Sequence, residues 1–141
     1  PPPPPPPPTT SQSSAASDVY KRQAAYFLSL GHYDSLIRRM GNTLRRRREV
    51  MADAIAAHGL TVAGRGAFGG SSFWMRAPDG TDTEVLAERV KAKSVLIEPG
   101  HPFFASPDRG QAHYRLGYSS IPSSRIPEGI AILARIVAEQ A

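Results

Sequence analysis

Three observations predict an α+β fold, a small and mostly antiparallel sheet with helices packed on one face, preceded by a long amphipathic helix. Apolar residues recur at helical spacing from Tyr33 to His58 and again from Ile126 to Val137. Between them lie short stretches in which apolar and polar residues alternate, the pattern of a half-buried strand. The signals arrive in the order helix, strand, strand, helix, strand, strand, helix, which an α+β layer accommodates.

In the leading helix Tyr33, Ile37, Met40, Leu44, Met51 and Ile55 form one stripe, and Gly59 is the expected stop. Gly41 and Asn42 are poor helix formers, so a weak point or kink is expected there, within one domain. Leu60 to Ala63 is a short strand, and Ser71 to Arg76 a better one, because Phe73 and Met75 alternate with Ser72 and Trp74. Pro78-Asp79-Gly80 is a turn, since proline presets φ and glycine accepts positive φ. Thr81-Asp82-Thr83-Glu84 matches a capping box, opening a helix through Leu86 and Val90 to about Lys93. Val95 to Ile97 is a short apolar strand that ends at Pro99-Gly100. After the loop HPFFASPDRGQA a strand runs from His113 to about Ser120. Ser124 is the expected cap of the last helix, with Pro127 tolerated in the first turn and Ile126, Ile130, Leu133 and Val137 as its buried stripe.

The segment before these elements needs a different account. Pro1 to Pro8 followed by a Thr/Ser/Gln stretch reads as a polyproline rod and linker, and residues 1–23 are expected to be disordered. Ser13 to Gln23, SSAASDVYKRQ, resembles the translation of a sequencing adapter, which makes 1–23 non-native and puts the natural chain from about Ala24. The expected organisation is therefore 1–23 as this segment, 24–58 as a long connecting helix and 59–141 as the α+β domain.

Composition removes several classes of function. With no cysteine among 141 residues, disulfide frameworks and thiolate metal sites are excluded, and a reducing cytoplasm is the expected compartment. No apolar run reaches membrane-spanning length, since even IAILARIVA is broken by Arg135. The net charge of +5 identifies no partner by itself. His32, His58, His101 and His113 lie far apart without metal-ligand spacing. Ser119, Ser120, Ser123 and Ser124 lack the G-x-S-x-G elbow of a hydrolase nucleophile. Gly64-Arg65-Gly66-Ala67-Phe68-Gly69 has G-x-G-x-x-G spacing, yet it runs into strand-like SSFWM rather than a helix, so it reads as a loop. Arg38, Arg39 and Arg45 to Arg48 could follow a nucleic-acid backbone, but four consecutive residues sweep round the whole helix, and Arg47 or Arg48 must fall near the apolar stripe.

Arg115 is the remaining candidate. If Tyr114, Leu116 and Tyr118 point one way, Arg115, Gly117 and Ser119 point the other, and one guanidinium on a small-residue face describes a pocket wall. Guanidinium grips a carboxylate with parallel hydrogen bonds. Alternation alone fits an exposed strand arginine equally well.

The stretches GHYDSLIRRM, LRRRREVM, GGSSFWMRAPDGTDTEVLAERV, VLIEPGHPFF and HYRLGYSSIP-SSRIPEGIAILA, in this order, resemble the C-terminal small domain of class I/II aminotransferases of fold type I. They look most like the MocR-type members, in which that domain is fused behind a GntR-type winged helix. The resemblance implies pyridoxal phosphate as cofactor of the parent, an amino acid or amine as ligand, and a homodimer. It places the grip on the ligand's α-carboxylate at Arg115, and the loop Pro99 to Phe104 at the mouth of the site, with no catalytic role for Glu98 or His101. It implies that the Schiff-base lysine, the acidic partner of the pyridinium nitrogen and the phosphate-binding groups lie outside this stretch, so Lys21, Lys91 and Lys93 are not candidates and the fragment alone is inactive. Ser94 stands where relatives commonly have glycine. The expected function is that of a transcription regulator with an effector-binding aminotransferase-like domain, reaching DNA through the winged helix. A free-standing amino acid aminotransferase and an independent basic nucleic-acid-binding domain are the alternatives.

Overall fold

The structure is a computed structural model that describes residues 10–64 and 70–140. It divides into two units, Pro1–Gly41 and Asn42–Ala141. Helix α1 spans Thr10–Ser29 and α2 spans His32–Ala57, separated by Gly31 at φ 71°. This corrects two expectations. From Thr10 the supposed disordered segment is helical, because Lys21, Arg22, Gln23, Ala24 and Ala25 are all good helix formers. The connecting helix is also not continuous from 24 to 58, since Gly31 takes a left-handed conformation that ends α1. Gly41 and Asn42, by contrast, sit inside an unbroken α2. The boundary between the two units falls at that same place.

The second unit is built on a four-stranded antiparallel sheet, with β1 (Thr61–Val62), β2 (Ser72–Arg76), β3 (Glu98–Pro99) and β4 (His113–Gly117) in the order β1-β2-β4-β3. Alternation puts Phe73, Met75, Tyr114 and Leu116 on one face, where they are buried. Met51 and Ile55 of α2, Leu86 and Val90 of α3 (Thr83–Lys91), and Ile126, Ile130, Leu133 and Val137 of α4 (Ile126–Ala138) complete a single core with them. The stripe on α2 is therefore buried only in its second half. Tyr33, Ile37 and Met40 are exposed.

Helix ends show where local chemistry departs from the expected caps. Asp82, not Thr81, caps α3: its Oδ1 accepts from the backbone N–H of Glu84 at 2.9 Å and of Val85 at 3.4 Å. A carboxylate is the stronger acceptor, and Thr81 is instead buried with its hydroxyl unpartnered. Ser124 does not cap α4. It lies in a 3₁₀ turn, Ser123–Arg125, that leads straight into the helix, so Arg125 holds the cap position without a side-chain bond. Strand β3 starts after the predicted Val95–Ile97 run, because α3 exits through a tight backbone motif. Ser94 N–H donates to Lys91 O at 2.9 Å and Val95 N–H to Val90 O at 3.0 Å, with Ser94 at φ 62°. Gly59, at φ 65°, ends α2 as expected. The glycine-rich stretch lies outside the described residues from 65 to 69.

Candidate functional site

The sheet face opposite the core carries the chemistry. Arg115 is at the centre of β4 and pairs in register with Trp74 on β2 and Glu98 on β3, so three side chains form one row across three adjacent strands. Arg115 Nε donates to Glu98 Oε2 at 2.8 Å and Nη2 to Oε1 at 2.7 Å, a bidentate pair. Both side chains are part-exposed, 40% for Arg115 and 53% for Glu98. The guanidinium pKa is raised, first by the hydrogen bonds to Glu98 and then by its charge, against an opposing effect of desolvation.

Aromatic rings hold this row in place. Arg115 Cζ lies 5.4 Å from the Phe103 ring centroid, within cation–π range. Phe103 meets Trp74 edge-on at 5.4 Å, and Trp74 also contacts Phe104 at 5.9 Å and stacks with His113 at 5.8 Å. The loop from Pro99 to Phe104 is thereby fastened across the outer face of the sheet. Beside Arg115 opens a cleft of ≈ 420 Å³, lined by Glu98 and Arg115 together with small polar residues such as Ser72 and Ser119 and the apolar Leu96 and Ile97. A second cleft, of ≈ 400 Å³, lies where Val95, Leu96, Ile121, Ile130 and Leu133 meet. Its lining is mainly apolar, and it offers a surface for packing rather than a charged fork for binding.

The other sequence candidates scatter. Arg47 donates to the backbone oxygen of Ser119, and Arg48 stacks over Phe73 at 4.9 Å, so both are turned to the sheet and leave the exposed basic face. His32 contacts Phe27, His58 follows the end of α2, His101 lies 3.0 Å from the Glu84 carboxylate, and His113 stacks on Trp74. Among the described residues no three metal-ligating side chains converge. Sequence reasoning gave Trp74 no role at the site, named Glu98 only to deny it a catalytic role, and placed Phe103 in the loop at the mouth of the site. Period-two counting from Phe73 and Met75 puts Trp74 on the Arg115 face, whereas nothing local reveals that Glu98 sits opposite Arg115.

The sheet is thus antiparallel, with helices packed on one face and the Arg115–Glu98 pair on the other. No family model matches the chain. Over 115 residues it is 57% identical to the HTH-type transcriptional regulator TauR of Rhodobacter capsulatus, covering 82% of this chain and 24% of that protein. It matches the kynurenine aminotransferase of Pyrococcus horikoshii, solved with PMP and KYN, at a TM-score of 0.70 and 28% identity, covering 80% of this chain and 28% of that one. It matches LysN, the α-aminoadipate aminotransferase of Thermus thermophilus in complex with N-(5'-phosphopyridoxyl)-L-leucine, at 0.70 and 25%, covering 82% and 29%. The chain is thus similar over most of its length both to an HTH-type transcriptional regulator and to aminotransferases of known structure, and it spans about a quarter of the length of these relatives.

The two aminotransferases were solved with a pyridoxal-type group, PMP in one and N-(5'-phosphopyridoxyl)-L-leucine in the other. The residues of this segment do not fit that group itself. Lys91 lies 3.2 Å from Glu88 on α3 and Lys93 is in the turn after α3, and neither lines the cleft beside Arg115.

Proposed function

We propose that this segment supplies the carboxylate grip of an effector-binding, aminotransferase-like domain in a transcription regulator. The ligand is an amino acid or amine, and Arg115 anchors its α-carboxylate. Pyridoxal phosphate is held by residues of the longer chain, which acts in the cytoplasm as a homodimer and reaches DNA through a winged helix. One observation carries this reading: the chain is 57% identical over 115 residues to an HTH-type transcriptional regulator, while Arg115 lines an open cleft.

The test is to sequence the genomic DNA upstream of the Ala24 codon. The expected result is an open frame encoding a large domain with a Schiff-base lysine and, before it, a winged helix. A large domain without the winged helix makes the parent a free-standing aminotransferase. A genome that encodes the proline run and SSAASDVYKRQ in place of such a domain overturns the proposal.

A further inference from the structure

We propose that Glu98 determines which ligands Arg115 accepts, favouring molecules with no net charge, such as zwitterionic amino acids, over bare carboxylates and dicarboxylates. This rests on the reading of Arg115 as the carboxylate anchor and adds a selector to it.

Glu98 occupies one edge of the guanidinium, through Nε and Nη2. Among the described residues no protein acceptor meets Nη1, so the second edge of the fork is left for a ligand. A carboxylate arriving there completes a row of negative, positive and negative groups. Arg115 can neutralise only one of the two carboxylates. A ligand that also brings a cationic group restores the balance, whereas a bare carboxylate leaves one uncompensated negative charge and a dicarboxylate leaves two. Like-charge juxtaposition at a partly desolvated site is costly enough to reject a ligand.

Stability does not account for the pair. Both side chains are substantially exposed, and solvent screening limits what such a pair adds to folding. Their placement points to the cleft instead, since both line it, together with uncharged serines and a glycine. Trp74 and Phe103, which flank the guanidinium, bring no charge that would offset Glu98. Cross-strand pairing further fixes Glu98 beside Arg115, so the negative charge is built into the register of β3 on β4.

The experiment is calorimetric titration of the full-length protein with L-alanine, propionate and succinate, which differ in charge at similar size. Glu98→Gln keeps the shape and removes the charge. It should raise affinity for propionate and succinate by roughly tenfold or more while changing alanine affinity by less than about threefold, on the scale of one charge pair at intermediate dielectric. Glu98→Asp keeps the charge and should preserve the wild-type preference. If Glu98→Gln leaves the alanine-to-propionate ratio unchanged, or if Glu98→Asp behaves like Glu98→Gln, the charge is not the selector and the inference fails. Arg115→Ala separates this from the underlying reading. It should weaken all three ligands by about tenfold or more, the scale of lost charge-assisted hydrogen bonds. Intact binding in that variant removes the carboxylate anchor itself.

Discussion

Tyr114 shows how a single side chain in this fold can be assembled against its own polarity. It sits on β4 between two residues of the outer sheet face, yet points into the core, where it is fully buried and its hydroxyl has no partner among the described residues. Burial pushes its pKa up to about 12 from the ordinary 10.0. The neutral phenol is therefore the form the folded state holds. A group whose pKa is higher folded than unfolded contributes stability in full below the unfolded value and loses it as pH rises through the folded one, here between about 10 and 12. Up to roughly 3 kcal/mol is lost across that window. Tyr114→Phe should raise stability at pH 7 by about 1 kcal/mol, since it removes an unsatisfied buried hydroxyl. It should also flatten the alkaline decline. Urea unfolding at pH 7 and pH 11 checks both effects, and an unaltered alkaline decline would assign it to another group. Ser94 is a second residue held against preference, at φ 62° where glycine is at ease. Ser94→Gly should stabilise by about 0.5 to 1 kcal/mol, measured as a shift in urea midpoint without a change in slope.

At the scale of elements, the strands were readable because a period of two needs only neighbouring residues. Phe73 and Met75, then Tyr114, Leu116 and Tyr118, announce their face whatever the strands pair with. Caps were less readable, because Thr81 and Asp82 compete for one position and the winner depends on where Gln111 meets the chain. Its carbonyl accepts from the Thr83 hydroxyl at 2.8 Å and from the Thr83 N–H at 3.1 Å, which draws Thr83 into the helix. The outer face of the sheet was half readable. Arg115 follows from alternation, but Glu98 becomes its partner only through the order β2-β4-β3, a long-range fact. That pairing relies on two loops that nearly touch. A Cβ on Gly100 would lie 2.5 Å from the backbone oxygen of His113 and 2.6 Å from that of Gly110. Backbone cannot yield as a flexible side chain can, so Gly100→Ala should cost about 1 to 3 kcal/mol. It should also loosen the Phe103–Trp74 packing over Arg115, seen as a change in Trp74 fluorescence. Unaltered fluorescence and stability would mean that the loops have room to separate.

Over the whole molecule, amphipathicity and burial part company. The stripe on α2 has one period from Tyr33 to Ile55, and periodicity cannot say where along it a core begins. In the structure every buried apolar residue of the core lies at Met51 or beyond, with Leu44 and Val50 packed against it. Residues of the first unit are left uncovered: Tyr20, Tyr26, Phe27, Leu28, Leu30, Leu36, Ile37 and Met40 are between 42% and 71% exposed. Apolar surface of that extent opposes solubility and favours association. Removing residues 1–41 should therefore leave the thermal midpoint of the sheet-containing unit within about 2 °C, because a loss of less than ~0.5 kcal/mol is expected when no core contact is removed. The same deletion should lower concentration-dependent association, measured by light scattering across a dilution series. A large drop in the midpoint would show that the first unit stabilises the second. Undiminished association would place the adhesive surface elsewhere, with the apolar cleft around Leu96, itself 78% exposed, as the next region to alter.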